Sequence, residues 1–131
     1  MRFSTKTRYG LRFLLRLARE GRVVTLAEIA RQEKISLGYL EQIVSALKPL
    51  GLFRAERGSQ GGYVLIKEPA EINLLQVFER LEGLNLVACL EDESHCERAK
   101  NCLTRSFWQD FGEHIRIYLA SKTLQHMLDR Q

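Results

Sequence analysis

Three short helical patterns fill the first 50 residues of the chain and constrain its fold more than any other feature. The first begins at Ser4 and is ended by Gly21, the second begins at Thr25, and the third begins at Ser36. Thr25 stands three residues before Glu28, which is the spacing of a capping box, and Ser36 can cap the third helix. Apolar residues recur at helical spacing in each pattern; in the third they are Leu40, Ile43, Val44 and Leu47. Three short helices joined by tight connections predict a helix-turn-helix unit.

A two-stranded hairpin is predicted directly after the third helix. Residues 52–57 and 63–66 are short strand-like runs, and the glycine-rich segment between them permits positive backbone angles. A fourth helix follows over residues 72–81 and ends at Gly83. These patterns together predict a mainly α fold, a winged helix-turn-helix DNA-binding domain with a two-stranded wing.

Basic residues concentrate in this first half of the chain. Residues 1–70 contain 13 Lys and Arg against 6 Asp and Glu, a net charge of +7, whereas residues 71–131 contain 7 against 10, a net charge of −3. The asymmetry indicates that the first half faces a polyanion, although on charge alone a solvated basic surface accounts for it equally well. Arginines interrupt the apolar run at residues 11–18, so we expect no signal peptide, no membrane partner and a cytoplasmic location.

The third helix is predicted to read DNA, because the second helix of a helix-turn-helix pair presents its amino-terminal residues to base edges in the major groove. The candidate DNA-binding residues on it are Ser36, Gly38, Tyr39, Glu41 and Gln42. A glutamine can bond adenine through both amide atoms, and a glutamate tolerates the groove only where it accepts from a donor such as cytosine N4. On the wing, Arg57 can enter the minor groove, and Arg2, Lys6 and Lys48 are candidate phosphate contacts.

All three cysteines lie in one polar stretch after the fourth helix. Cys89, Cys96 and Cys102 are separated by six and five residues. An odd number argues against a disulfide framework, and thiolates favour zinc, copper(I) and iron–sulfur clusters as ligands. The set is one ligand short of four. His95 is the nearest imidazole, but neighbours on an extended loop tend to point apart, and acidic side chains of the loop, water or a small thiol are the other options.

A long amphipathic helix is predicted after the cysteines. Its apolar residues fall at spacings of three and four and form one stripe, made of Leu103, Phe107, Phe111, Ile115, Tyr118 and Leu119. We interpret Phe107, Phe111, Ile115 and Leu119 as a homodimer seam; the alternative is that the stripe packs on its own domain. The predicted organisation is a DNA-binding domain at 1–83, a ligand-binding loop at 84–102, and a dimerisation helix followed by a short terminal helix at 103–131.

The chain resembles a known family over nearly its whole length, about residues 1 to 128. The resemblance is carried by Ser4-Thr-Lys6 with Arg8-Tyr9, by SLGYLEQ at 36–42, by RGSQGGY at 57–63, and by Cys102-Leu-Thr. These segments are similar to those of the IscR and NsrR regulators of the Rrf2 family of bacterial transcription factors. The resemblance implies a homodimeric winged-helix protein, often a repressor, that binds a double-stranded DNA operator and holds an iron–sulfur cluster on Cys89, Cys96 and Cys102.

Two positions depart from the family pattern. IscR-like members have a histidine three residues after the third cysteine, where this chain has Arg105. NsrR-like members have an aspartate near the start of the first helix, where this chain has Arg8. A guanidinium is not deprotonated in proteins and offers no lone pair, so neither arginine can be a ligand. The fourth ligand is therefore expected to come from elsewhere.

The leading hypothesis is a DNA-binding transcription regulator controlled by an iron–sulfur cluster, with 2Fe-2S favoured over 4Fe-4S. The signal would be iron–sulfur or iron status, redox state or nitric oxide. The alternative is a winged-helix repressor that uses the cysteines for zinc binding or thiol-redox sensing without a cluster. A third class, a cluster carrier or redox protein, leaves the basic first half and the wing without a purpose. No enzyme is expected, because no nucleophile–base pair or phosphate-binding loop is evident in the sequence.

Overall fold

The structure, a computed structural model, describes residues 1–130 of the chain. Its helices and strands, in chain order, are α1 (Thr5–Glu20), α2 (Leu26–Glu33), α3 (Leu37–Leu47), β1 (Phe53–Glu56), β2 (Gly62–Leu65), α4 (Leu74–Leu81), α5 (Ala88–Glu91), α6 (Arg105–Ala120) and α7 (Leu124–Leu128). Short 3-10 turns lie at Lys48–Leu50, Pro69–Glu71, Glu93–His95 and Ala99–Asn101. The predicted fold class is confirmed: the chain is mostly helical with one two-stranded antiparallel sheet.

The first three helices start where the sequence predicts. The side chains of Ser4, Thr25 and Ser36 each accept a hydrogen bond from the backbone N–H three residues later. Each therefore satisfies one of the amide groups that a helix start leaves without an internal partner. Helix α1 ends at Gly21, which adopts a left-handed conformation with φ of 61°. The turn between α2 and α3 contains Lys34, also left-handed, with φ of 56°.

One core joins these helices to the wing, to α4 and to α7. Its fully buried apolar side chains are Phe13, Leu14, Leu17, Val24, Ile29, Leu40, Ile43, Val44, Leu47, Ile72, Val77 and Leu124. We call residues 4–81 the head. Leu124 belongs to α7, and its N–H donates to the carbonyl oxygen of Ile72 at 2.9 Å. Helix α7 thus packs back on the head; the predicted three-part division of the chain stays a prediction.

The wing is held to the head through its second strand. Strands β1 and β2 pair in antiparallel register, with Phe53 opposite Leu65 and Glu56 opposite Gly62. Val24 and Tyr63 exchange two backbone hydrogen bonds of 2.9 and 2.8 Å across the joint. Phe13, Phe53 and Tyr63 then meet edge to face below it, with ring centroids 5.2 to 6.3 Å apart. The hairpin is therefore fixed relative to α1.

Helix α6 leaves the head along α4 and buries only part of its apolar surface. Leu119 joins Leu74, Phe78 and Leu84 in a second, smaller core, and Ile115 packs against it. The amino-terminal half of α6 extends beyond this contact. Within residues 1–130, none of the helices combines the length and apolar character that crossing a membrane requires.

Candidate DNA-binding surface and cysteine segment

The outward face of α3 carries most of the predicted reading residues. Ser36, Gly38, Glu41 and Gln42 are exposed, whereas the buried side of the helix is formed by the apolar residues predicted for it. Tyr39 is only half-exposed, since its ring packs against that of Tyr9 in α1 with centroids 6.0 Å apart. Tyr39 therefore also fixes α3 against α1. These placements leave the DNA-reading role itself a prediction.

The arginines of the head fall into two groups. Arg12 and Arg16 both pair with Glu33, at 3.1 and 3.0 Å, and Arg22 pairs with Glu28 at 2.8 Å. Arg57, at the start of the wing tip, is exposed, and its guanidinium has no hydrogen bond or ion pair with any residue from 1 to 130. The charge of Arg57 is therefore available for a ligand, while part of the basic excess seen in the sequence is neutralised internally.

The three predicted phosphate contacts differ in exposure and in position. Arg2 and Lys48 are exposed, and Lys6 is half-exposed. The Lys48 ammonium lies 5.9 Å from the centroid of the Tyr63 ring, which puts it beside the wing strand β2. Lys48 thus lies beside the wing that carries Arg57, whereas Arg2 precedes α1.

We call residues 83–104, between α4 and α6, the cysteine segment. Cys89 lies in α5, Cys96 follows the turn at Glu93–His95, and Cys102 follows the turn at Ala99–Asn101. All three are free and half-exposed. In the described part of the chain, no three His, Cys, Asp or Glu side chains come together as a metal site would require. The segment as folded therefore contains no ready-made site for one metal ion.

His95 makes a contact within its own turn. Its Nδ1 lies 3.2 Å from the carbonyl oxygen of Asp92, within the same turn. The prediction that His95 completes the ligand set has no support in this form of the segment, because a ring nitrogen is engaged locally and no three-ligand group includes it.

Arg105, at the position where the IscR-like pattern is expected to have a histidine, forms an ion pair with Glu93 of the cysteine segment. Its Nη1 donates to Oε1 of Glu93 at 2.6 Å, and the Arg105 side chain is only 22% exposed. Its Nε is buried and has no hydrogen-bond partner in the described residues. A guanidinium with one desolvated, unpaired N–H is held at some cost in free energy. Glu93 and Arg105 thereby tie the middle of the segment to the start of α6.

The Cys102 thiol has a polar environment of its own. Its Sγ lies 3.2 Å from Oγ1 of Thr104. Hydrogen bonds from the Thr104 side chain, and less strongly from its backbone, lower the pKa of Cys102 below the ordinary thiol value. Its thiolate, the form that binds metals and attacks oxidants, is therefore favoured.

A carboxylate that sequence reasoning missed anchors the segment to the head. Oε2 of Glu82 accepts from Ser4 N–H at 2.9 Å, Ser4 Oγ at 2.8 Å and Thr7 Oγ1 at 2.5 Å. Partial burial raises the pKa of Glu82, but the hydrogen bonds from Thr7 and Ser4 together outweigh it, so that the pKa is lowered overall. The contact spans 75 residues of sequence or more, so no local pattern could have revealed it.

The predicted dimer stripe is divided by the fold. Leu119 is only 6% exposed and Ile115 is half-buried, because both pack against α4 of the same chain. Phe107 is 59% exposed and Phe111 38%, with their rings stacked at 6.0 Å. For Leu119 and Ile115 the alternative interpretation, packing on the chain's own domain, is therefore the one observed. Phe107 and Phe111 remain exposed, and their role in a dimer stays a prediction.

The family model Rrf2, described as an iron-dependent transcriptional regulator, matches residues 3–130. The chain belongs to the Rrf2 family. Relatives of the Rrf2 chain include the transcriptional regulator IscR of Photorhabdus laumondii, which is 36% identical over 135 residues covering 100% of this chain and 81% of that one. The predicted family membership is confirmed.

Two solved Rrf2-like structures have the same fold. CymR, the global cysteine regulator of B. subtilis, superposes with a TM-score of 0.79 at 36% identity, covering 100% of this chain and 98% of that one. IscR of T. potens gives a TM-score of 0.79 at 32% identity, covering 99% of this chain and 88% of that one. This Rrf2 protein is accordingly a DNA-binding transcription regulator and, as predicted, not an enzyme. The cluster-carrier interpretation is set aside, because the family regulates transcription.

Proposed function

We propose that this chain is a homodimeric transcription regulator whose affinity for its DNA operator is controlled through the three cysteines of the cysteine segment. The observation that carries the proposal is the position of that segment. It connects directly to the DNA-binding head through Glu82 and to α6 through Arg105, and its three thiols are free and accessible. A chemical change at the cysteines therefore acts on a segment that contacts both functional parts of the molecule.

For the DNA-binding part of the proposal, the support is the exposed α3 face together with Arg57 of the wing, which has no hydrogen bond or ion pair with any residue from 1 to 130. Phosphate contacts release counterions, so the affinity should fall steeply as salt concentration rises. The test is to select duplexes from a random library with the purified protein and titrate salt against the selected duplex. Enrichment of no sequence, or an affinity independent of salt, would contradict a regulator.

An iron–sulfur cluster, 2Fe-2S favoured, is the controlling group that the resemblance to IscR supports. The donor chemistry fits, since Cys89, Cys96 and Cys102 are unpaired thiols and would hold the cluster. When bound, a cluster supplies a group that responds to iron supply, oxidants and nitric oxide. The segment as folded does not gather three donors, so binding requires the segment to rearrange. Arg105 supplies no ligand, and Glu93 is engaged with it.

Anaerobic purification tests the cluster directly. A brown protein that contains iron and acid-labile sulfide, and whose operator affinity changes when the cluster is removed, is the expected result. Cys96→Ala should lose the visible absorption while the far-ultraviolet circular dichroism of the head is retained. Ser94→Ala, an exposed neighbour in the same turn, is the matched control and should keep the absorption.

Thiol oxidation without a cluster is the second candidate, favoured by the similarity to CymR, a solved structure of which, from Staphylococcus aureus, is an oxidised form. With hydrogen peroxide as the oxidant, a cysteine thiol becomes a sulfenic acid and one water is released. A colourless anaerobic protein whose operator affinity changes on peroxide treatment, and recovers with dithiothreitol, would favour this route over the cluster. A colourless protein that contains zinc would instead point to the metal alternative.

The homodimer rests on the amino-terminal half of α6. Phe107 and Phe111 expose stacked aromatic rings, and Leu103 just before the helix is 95% exposed. Exposed large apolar side chains grouped on one helix usually mark an association surface. A second copy of the chain is the proposed partner, since two-fold dimers are the commonest assemblies and a dimer presents two α3 helices to a symmetric operator.

A further inference from the structure

Leu37 of the head is an exposed leucine that takes no part in the hydrophobic core. Between Ser4 and Leu65, all described by the structure, Leu37 is the one exposed large apolar side chain, at 43%. It is the first residue of α3, directly after the N-cap Ser36. It is absent from the core of the head and from the apolar residues that pack around that core. Leu37 therefore does little for the stability of the folded chain.

The neighbours of Leu37 define what it faces. Residues four apart lie on the same side of a helix, so Leu37 stands one turn before Glu41. Glu41, Gln42 and Gly38 are all exposed on this face. A Cβ built on Gly38 has no atom within 4 Å, which leaves the surface beside Leu37 open. Leu37 is thus an apolar side chain on an otherwise polar face. It lies at the first turn of α3, the helix proposed to enter the major groove.

We propose that Leu37 reads the 5-methyl group of a thymine in the major groove. The proposal rests on the DNA-binding function given above. Thymine is the base that offers an apolar group in the major groove, and apolar side chains recognise it by contact. Contact with the methyl group removes exposed surface of Leu37 from water, whereas cytosine lacks the methyl group and presents its amino donor, and a purine presents N7 beside a second polar group. Leu37 would thereby add a thymine requirement to the polar readout by Glu41 and Gln42.

The test uses uracil, which differs from thymine only by lacking the methyl group. The wild-type protein first selects duplexes from a random library, and uracil then replaces each thymine of the selected sequence in turn. Burial of one methyl group corresponds to about a fourfold change in affinity. We expect uracil at one thymine position in each half-site to weaken wild-type binding by about fourfold, with little effect at the other thymines.

The variant Leu37→Ala identifies the side chain responsible. It should fold normally, since Leu37 is outside the core and alanine favours helices, and circular dichroism checks this. It should bind the thymine and uracil duplexes equally well. Ile66→Ala, which also removes an exposed aliphatic side chain, is the matched control and should keep the wild-type difference.

The outcomes separate this proposal from the proposed function. Selection of a sequence in which uracil is harmless everywhere overturns the role of Leu37 and leaves the regulator intact. An equal loss on uracil in wild type and Leu37→Ala also overturns it, because another residue then reads the methyl group. Selection of no sequence contradicts the DNA-binding function itself, and the role of Leu37 with it.

Discussion

Gly62 offers a sharp test of how the wing is fixed to the head. An added Cβ at this position would lie 2.3 Å from the carbonyl oxygen of Val24, 2.5 Å from its carbonyl carbon and 2.8 Å from the nitrogen of Thr25. Ordinary contacts of a Cβ begin near 3.4 Å, and all three atoms belong to the backbone, so no side chain can rotate away. Gly62→Ala therefore requires strand β2 to move away from Val24 by about 1 Å.

The cost follows from what that movement breaks. Val24 and Tyr63 exchange two backbone hydrogen bonds of 2.9 and 2.8 Å at this joint, and each contributes about 0.5–1.5 kcal/mol. Losing both costs about 1–3 kcal/mol, which is also the usual cost of inserting a methyl group into a packed interior. The φ of Gly62 is not positive, so no backbone strain is added. We expect Gly62→Ala to lower the free energy of unfolding by about 2 kcal/mol.

Urea denaturation followed by circular dichroism measures this difference. The matched control is Gly38→Ala, because a Cβ there meets no atom within 4 Å. Gly38 lies in helix α3, so alanine should raise the unfolding free energy by about 0.5–1 kcal/mol. If Gly62→Ala unfolds at the same urea concentration as wild type, the backbone contact with Val24 is not what fixes the wing.

Three other perturbations have defined outcomes. Glu82→Gln should cost about 1–2 kcal/mol at pH 7, because a neutral amide accepts more weakly from Ser4 and Thr7. The lowered pKa of Glu82 means that its stabilisation is present above the unfolded carboxyl pKa, about 4.3, and is lost as pH falls through the lower folded value. Urea titrations should therefore find wild type and Glu82→Gln converging in strongly acidic buffer, and a constant difference would contradict this. Arg57→Ala should weaken operator binding by about 1–3 kcal/mol; unchanged affinity in a fluorescence anisotropy titration would remove Arg57 from the interface. Phe107→Asp should shift sedimentation toward the monomer without unfolding the chain, and an unaltered dimer would exclude this surface.

Most helices and strands of the head can be predicted from the sequence, because their signals come from residues close together in the chain. Thr25 and Ser36 cap their helices as predicted, because a cap needs only a side-chain oxygen and an amide three residues later. The wing was recovered because a change from helical spacing to strand-like runs around glycines is also local. These elements depend on neighbouring residues, which a single sequence contains in full.

Features that depend on distant residues could not be predicted. The glycines of the wing tip were expected to provide positive backbone angles, and Gly58 does so with φ of 108°. Gly61 and Gly62 are there for a different reason, since their missing side chains let backbone segments approach closely. Likewise, helical spacing on α6 identified an apolar stripe, but periodicity does not say what covers it. Leu119 is covered by α4 of its own chain.

At Arg105, the sequence shows which role is impossible and the structure shows which contact the side chain makes. The chemistry of guanidinium excluded it as a ligand, and the structure adds that it pairs with Glu93 instead. At the other end of the segment, Glu82 bonds Ser4 and Thr7 at the start of α1, and Tyr9 of α1 packs on Tyr39 of α3. Contacts therefore run without a break from the residue that precedes the cysteine segment to α3. The proposed control of DNA binding by the cysteines thus has a physical route, because displacing the start of the segment displaces the Glu82 carboxylate that holds α1.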